Sequence, residues 1–230
     1  DALSMVAYLP QPKLGETFSS KIDIDGLKKH NPDLLEQLNH VTPFSYTNLI
    51  FDKIEQIVRQ NSKYLSIART PSDLYEDKRK GRKSIVLAIE NGLALEGKLE
   101  NVKHFAQRGV SYICDSARGS NMHGGVSKFG EEVIREMNKY GIMVDLSHGG
   151  EKSFYDALDI STKPIVCSHS NSKALCNVAR NLTDDQMRAL ATKGGVAHIT
   201  LYHGFLHTPS EATILHAIDH LEHAIKIMGI

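Results

Sequence analysis

The sequence predicts an α/β fold built around a parallel sheet. From Ser84 onward, apolar segments of strand length alternate with amphipathic segments of helix length, as in repeated βα units. The first of these strands, Ser84–Glu90 (SIVLAIE), is apolar on both faces, as a strand covered by helices should be. The chain has 230 residues, 41% of them hydrophobic, and no repeat or linker divides it, so we expect one domain over residues 1–230.

The composition argues against several classes of partner. Lys+Arg and Asp+Glu both number 27, so the net charge is zero and neither nucleic acid nor an anionic membrane is favoured. The three cysteines contain no CxxC pair, which excludes a zinc-finger spacing and a disulfide framework. No apolar stretch approaches the ~18 residues of a membrane span, and no targeting segment indicates the compartment.

Helix signals follow one another along the chain. Residues 1–45 are interrupted by prolines and are predicted to be irregular, whereas residues 45–68 have helical spacing. Thr70 and Pro71 form a standard start signal for the next helix, because a threonine caps well and a proline suits the first helical position. The remaining helices are predicted over residues 98–109, 127–141, 151–161, 182–195 and 210–229, with Gly109 and Gly141 as ends and Thr183 as a cap.

The predicted strands end on side chains that can carry chemistry. IMVDLSH, KPIVCSHS and VAHITLY are predicted strands that lead to His148, His169 and Tyr202, as the first strand leads to Glu90. The carboxyl ends of parallel strands lie at one edge of a sheet, and in a (β/α)8 barrel they converge. One carboxylate and two imidazoles suit Zn²⁺. We therefore expect Glu90, His148 and His169 to form a metal site.

Other patterns predict other sites less strongly. The Ser-His pairs at 147–148 and 168–169 suggest a serine hydrolase, but no GxSxG elbow is present and adjacent strand residues point to opposite faces. His216, His220 and His223 share one face of the last predicted helix. No strand-end carboxylate accompanies these three histidines, so a surface stripe is the favoured interpretation.

Four long segments resemble the renal (membrane) dipeptidase family. They are LAIENGLAL, GGVSKFGEEVIREMNKYGIMVDLSH, KPIVCSHSNSKALCNVARNLTDDQMRALA and GGVAHITLYHGFL, and the match is nearly continuous from about Ser84 to Phe205. The resemblance implies a (β/α)8 barrel that binds two zinc ions and hydrolyses dipeptides through a metal-bridging hydroxide. A homodimer is a further expectation, since related enzymes are commonly dimers.

The resemblance also implies roles for single residues. Glu90 matches the bridging carboxylate, which places it among both the catalytic and the metal-binding residues, and His148 and His169 match the two later histidine ligands. Arg180 matches the arginine that holds the free carboxylate of the substrate, a task suited to a planar guanidinium. Asp1 matches the aspartate of a first-strand His-x-Asp motif, whose histidine would lie upstream.

The chain also departs from the family pattern. An apolar second strand is missing after IDIDGLKKH, a strand ending in Thr-His is missing after RGVSY, and no eighth strand brings a catalytic aspartate. Because an open barrel exposes strand edges, we expect pieces of a longer protein to be absent near residues 30–31, 112–113 and 118–125, and beyond residue 230. Two alternatives stay open, namely an inactive relative that only binds, and an amidohydrolase for a non-peptide amide.

Overall fold

Strands and helices alternate along the chain, as the sequence predicts, in a computed structural model that describes residues 1–30, 32, 38, 41–114 and 125–229. Two units can be distinguished, Asp1–Ile113 and Cys114–Ile230. The single domain expected over residues 1–230 stays a prediction. Among the described residues, no helix combines the length and the apolar character that crossing a membrane requires.

The first unit is organised around strand β3. Its elements, in chain order, are β1 (Ala2–Tyr8), α1 (Ile24–His30), α2 (Pro43–Gln60), β2 (Leu65–Ile67), α3 (Pro71–Arg79), β3 (Lys83–Glu90), α4 (Glu100–Gln107) and β4 (Val110–Cys114). Both β1 and β2 pair with β3 in parallel, and β4 follows β3 in the sheet. The predicted two-sided burial of β3 is confirmed, since Leu87, Ala88 and Ile89 are fully buried.

Two strands of this unit correct the sequence predictions. β1 lies in the region expected to be irregular, and β2 lies at the end of the helix expected over residues 45–68. Helix α2 stops at Gln60, where the Asn61 side chain donates to the Ile57 carbonyl and a turn follows. Both strands exist because β3 supplies their hydrogen-bonding partner, which local sequence does not reveal.

Of the places where segments are expected to be missing, some lie outside the described residues and one lies within a strand. Residue 31 and residues 115–124, with most of the expected gap at 118–125, lie outside the described residues. β4 passes through residues 112–113 as one continuous strand, so no interruption marks that place.

The second unit repeats short βα units. Its elements are α5 (Lys128–Tyr140), β5 (Met143–Asp145), α6 (Glu151–Ile160), β6 (Val166–Cys167), α7 (Asp184–Thr192), β7 (Val196–Ala197), α8 (His203–Leu206) and α9 (Ile214–Met228). The strands pair in parallel in the order β5-β6-β7. Helices α5, α6 and α7 contribute fully buried side chains, among them Ile134, Phe154 and Met187, each of which stabilises the fold by about 1.5–3 kcal/mol.

The predicted helix signals are confirmed by the geometry of the helix ends. Thr70 and Thr183 accept hydrogen bonds from the third residue of their helices and complete capping boxes. Gly141 ends α5 with a φ of 76°, a left-handed conformation that glycine adopts without a steric cost.

Strands β5 and β6 are shorter than the segments predicted for them. The reason lies in Asp145, the last residue of β5, whose side chain is fully buried. Its carboxylate accepts hydrogen bonds from the backbone N–H groups of Ser147 and Ser168. These two N–H groups are therefore not available for the ladder of hydrogen bonds between strands. The chain therefore turns away from strand geometry just before His148 and His169.

Candidate metal centre

His148 and His169 lie side by side, immediately after β5 and β6. Both are half-buried, and their Nε2 atoms are 2.9 Å apart, with ring centroids 4.9 Å apart. Two imidazole nitrogens bound to one tetrahedral zinc ion, at about 2.05 Å each, are about 3.3 Å apart. The pair therefore fits a zinc ion with a small outward movement of the rings.

Asp145 and two serines hold the histidine loops together. The Ser147 hydroxyl donates to Asp145 Oδ1 at 2.7 Å and accepts the backbone N–H of His169 at 3.0 Å. The Ser168 hydroxyl donates to Asp145 Oδ2 and lies 2.8 Å from His169 Nδ1. This buried cluster ties the end of β5 to the end of β6 and fixes the ring of His169.

Arg180 lies beside the histidine pair. Its guanidinium stands over the Phe205 ring at 5.2 Å, donates to the Ser147 carbonyl, and lies 3.1 Å from His148 Nε2. A guanidinium can only donate, so His148 Nε2 is the acceptor in its contact with Arg180. The second unit therefore holds two imidazoles and a cation within one small region.

Glu90 and Tyr202 occupy different kinds of position. Glu90 is half-buried at the carboxyl end of β3, in the first unit, where its carbonyl accepts the N–H of Leu9 at 3.0 Å. Its position at a strand end is therefore as predicted. Tyr202 is exposed and lies beyond β7, which ends at Ala197, so it does not end a strand.

Asp1 lies apart from Glu90 in this structure. Its carboxylate pairs with the Lys83 ammonium, and its carbonyl accepts the N–H of Ser84 at 3.1 Å. Asp1 thus lies at the amino end of the sheet, whereas Glu90 lies at the carboxyl end of β3. At about 3.3 Å per residue, roughly 20 Å of strand separates the two residues in this register, and the role of Asp1 as a metal ligand stays a prediction.

The geometry does not support the serine hydrolase alternative. In a catalytic triad the carboxylate contacts the histidine, and the histidine contacts the serine. Here Asp145 accepts from Ser168, and Ser168 in turn contacts His169. The serine proton is already donated to a carboxylate, so the hydroxyl is not set up as a nucleophile. Cys167 is no alternative, because burial raises the pKa of its thiol and keeps it protonated.

The expected surface stripe on the last helix is wrong for one of its three histidines. His220 on α9 is only 1% exposed and bonds both the Ser172 N–H and the Leu206 carbonyl. His223, also on α9, lies 2.7 Å from Asp184 at the start of α7. These histidines join α9 to the rest of the unit.

Sequence reasoning missed Asp145 and Ser168. A signal was present, since a charged residue inside the apolar run IMVDL is rarely buried without partners. The two serines that precede the histidines are those partners.

Comparison with known proteins relates the chain to a family of peptidases. Residues 34–230 match the family model of the membrane dipeptidases, peptidase family M19. An uncharacterized dipeptidase of Schizosaccharomyces pombe is 32% identical over 221 residues, which cover 86% of this chain and 52% of that protein. The chain thus spans about half the length of this curated relative.

Solved structures agree with the fold. An amidohydrolase from Pseudomonas aeruginosa has a TM-score of 0.77 and 29% identity, and the match covers 81% of this chain and 60% of that one. A metallo peptidase from Rhodobacter sphaeroides, solved with a phosphinate mimic of the dipeptide L-Ala-D-Ala, has a TM-score of 0.79 and 20% identity. That match covers 98% of this chain and 70% of the other. These likenesses confirm the predicted α/β fold class, as part of a (β/α)8 barrel. The match over residues 34–230 shows that the chain belongs to the membrane dipeptidase family, peptidase family M19.

Proposed function

We propose that this chain carries the metal and substrate site of a zinc-dependent dipeptidase. One observation carries the proposal, the pair of Nε2 atoms 2.9 Å apart with a guanidinium beside them. Two imidazole nitrogens this close can share one hydrogen bond, and with a lone pair on each the same two nitrogens can bind one cation. The arrangement is therefore suited to a metal ion, and the family consists of dipeptidases.

We further propose Glu90, His148 and His169 as ligands of two zinc ions in the complete subunit. Neutral imidazoles and a carboxylate are the ligands that zinc takes in hydrolytic sites. Glu90 ends β3, and the two histidines follow closely after β5 and β6. Zinc bound there would supply a Lewis acid for the scissile carbonyl and lower the pKa of a bound water. Glu90 is the proposed catalytic residue of this set, because its carboxylate has two oxygens to share.

Arg180 is proposed to bind the free carboxylate of the substrate. The lone pair of His148 Nε2 serves either the guanidinium or a metal ion, because it can make only one strong bond. Metal binding would therefore release one edge of the guanidinium while the Phe205 ring still supports it. A bidentate pair with a carboxylate one residue beyond the scissile bond favours dipeptides over longer chains.

The test is dipeptide hydrolysis by the full-length protein, with zinc content measured by elemental analysis. We expect cleavage that chelator abolishes and zinc restores, and that is lost in His148→Ala and His169→Ala. His30→Ala, which changes an exposed histidine, is the matched control and should retain activity.

A second comparison tests Arg180. Arg180→Ala should raise KM strongly for a dipeptide and leave KM for the corresponding dipeptide amide nearly unchanged, because the amide has no carboxylate to lose. Equal effects on both substrates would contradict the assignment.

The alternatives predict different results. Stoichiometric zinc without dipeptide cleavage would favour an amidohydrolase for a non-peptide amide. Neither zinc nor cleavage would favour an inactive relative that only binds. The expected homodimer stays a prediction, to be tested by sedimentation of the full-length protein.

A further inference from the structure

We infer that Asn181 is a positioning residue that holds Arg180 over the ring of Phe205. Asn181 directly follows Arg180 between β6 and α7, and Phe205 lies on α8. Hydrogen bonds and distances within the second unit support this position. The benefit to the substrate, tighter binding of its carboxylate by a well-placed guanidinium, rests on the proposed function.

The side-chain amide of Asn181 faces backbone carbonyls. The residue is only 4% exposed, and its Nδ2 lies 2.8 Å from the Cys176 oxygen, 2.9 Å from the Phe205 oxygen and 3.4 Å from the Ser172 oxygen. A carbonyl can only accept, so the NH₂ end of the amide, and not its oxygen, faces these groups. Its two protons match the two short contacts.

The bond to Phe205 joins the guanidinium to the ring that supports it. The ring centroid lies 5.2 Å from the guanidinium carbon of Arg180, and the Phe205 carbonyl accepts the Asn181 amide. An arginine side chain carries about 2 kcal/mol of rotamer entropy, so fixed neighbours are needed to hold it in one place. Because Asn181 is next to Arg180 in the chain, one amide sets the distance between the arginine and the backbone that carries the ring.

Backbone hydrogen bonds hold the other side of this stretch. The Leu182 N–H donates to the Asn171 carbonyl at 2.8 Å, and the Leu182 carbonyl accepts the Lys173 N–H at 2.8 Å. These bonds involve no side chain. Loss of the Asn181 amide should therefore leave them in place and allow the segment that carries the ring to move relative to the guanidinium.

Two substitutions separate a positioning role from a merely structural one. Asn181→Ala removes the amide, and Asn181→Asp keeps its shape but turns a carboxylate oxygen toward carbonyls that can only accept. Asn138→Ala is the matched control, because the Asn138 side chain also bonds backbone in this unit and accepts the Thr162 N–H at 2.6 Å. A merely structural role predicts that all three variants affect stability alone. A positioning role predicts that only the Asn181 variants change the surroundings of Arg180.

The first measurement is ¹H–¹⁵N NMR of the full-length protein, in which Arg180→Lys identifies the guanidinium signal. An aromatic ring shifts protons above its face upfield, so the Arg180 Nε–H signal should lie upfield of its position in Phe205→Leu. We expect both Asn181 variants to move that signal toward the Phe205→Leu position, and Asn138→Ala to leave it unchanged. An Arg180 signal that is the same in the native chain and in a folded Asn181 variant would overturn the inference.

A measurement on the native chain does not depend on whether the variants fold. Both protons of the buried Asn181 amide are donated to backbone carbonyls, so they should exchange with solvent far more slowly than those of the exposed Asn177 side chain. Exchange at the same rate at both residues would contradict the hydrogen bonds on which the inference depends.

The last experiment measures KM and kcat for a dipeptide and for the corresponding dipeptide amide. We expect Asn181→Ala to raise KM for the dipeptide roughly tenfold, which is less than in Arg180→Ala, because the guanidinium remains but is less well placed. KM for the amide and kcat for both substrates should change little, and Asn138→Ala should leave all of these values unchanged. Equal changes in KM for both substrates would refute a role in binding the carboxylate.

The NMR and kinetic results separate the role of Asn181 from the proposed function. If the native protein does not prefer the dipeptide to its amide, the proposed substrate role of Arg180 fails, while the Arg180 signal still decides whether Asn181 positions it. If the signal moves as expected but Asn181→Ala leaves KM for the dipeptide unchanged, Asn181 positions Arg180 without serving the substrate, and that part of the inference is refuted.

Discussion

His220 is expected to make the stability of the protein depend on pH. The ring is neutral in the fold, because Nδ1 accepts the Ser172 N–H at 2.9 Å while Nε2 donates to the Leu206 carbonyl at 3.0 Å. Burial lowers the pKa of His220, and the neighbouring His223 and His216 lower it further. The Leu206 carbonyl and Asp219 act in the opposite direction without reversing the shift.

The sign follows from the two states. The unfolded chain takes up a proton at His220 near pH ~6.5, whereas the folded chain does so only at lower pH. Stability is therefore fully present above pH ~6.5 and falls as the pH drops from there to the folded pKa. The slope from this one group approaches about 1.4 kcal/mol per pH unit.

His220→Leu is the perturbation that tests both statements. It removes the bonding partners of the buried Ser172 N–H and the Leu206 carbonyl, each of which costs about 1–3 kcal/mol when left unpaired. We expect a loss of about 2–5 kcal/mol at pH 8 in urea unfolding, and the difference from the native chain should shrink as the pH falls below ~6.5. His30→Ala, an exposed histidine, should keep the native slope. A constant difference between the native chain and His220→Leu from pH 8 to pH 5 would refute the linkage, and no loss at pH 8 would refute the hydrogen bonds.

Three further substitutions test the scaffold of the site. Thr183→Ala removes the capping box with Gln186 and should cost about 1 kcal/mol in urea unfolding. Gly195→Ala would place its Cβ 2.5 Å from Leu190 Cδ1, so we expect a loss of about 1–3 kcal/mol and a lower melting temperature by calorimetry. Asp77→Asn replaces a buried carboxylate with a neutral amide. Burial raises the pKa of Asp77, but its hydrogen bonds outweigh this effect and hold the pKa below its usual value. We expect a loss of about 1–3 kcal/mol near pH 7 that disappears as the pH falls below ~4, and a loss independent of pH would contradict the ionised state of the native side chain.

The elements that depend on local chemistry could be predicted from the sequence. Thr70 and Thr183 start helices because a side-chain oxygen reaches an N–H three residues away, and that distance is fixed by the chain itself. The strand-end histidines were also predictable, because an apolar run that stops at Ser-His is a local pattern. The sequence does not give the distance of 2.9 Å between their Nε2 atoms, because that distance depends on the pairing of β5 with β6 in the fold.

The elements that depend on distant partners could not be predicted in the same way. β2 is only three residues long and forms because it pairs with β3. Local sequence does not reveal that partner, so the helical spacing that precedes β2 was extended through it. The register of β1 against β3 places Asp1 beside Lys83, and no local pattern indicates that register. Asp145 was overlooked because its role depends on Ser168, which belongs to the next βα unit.

The pairing of β1 with β3 has a consequence for the order of folding. The two strands pair residues 82 positions apart, such as Ala2 and Ser84, whereas β6 and β7 join neighbouring βα units. Closing a long loop costs chain entropy before any contact is gained, and distant pairings slow folding. On a ribosome, β1 emerges before β3 and cannot form this pairing until β3 has been synthesised. Its apolar residues must therefore be kept from other chains during that interval, so nascent chains that end before β3 should be the ones that depend most on chaperones.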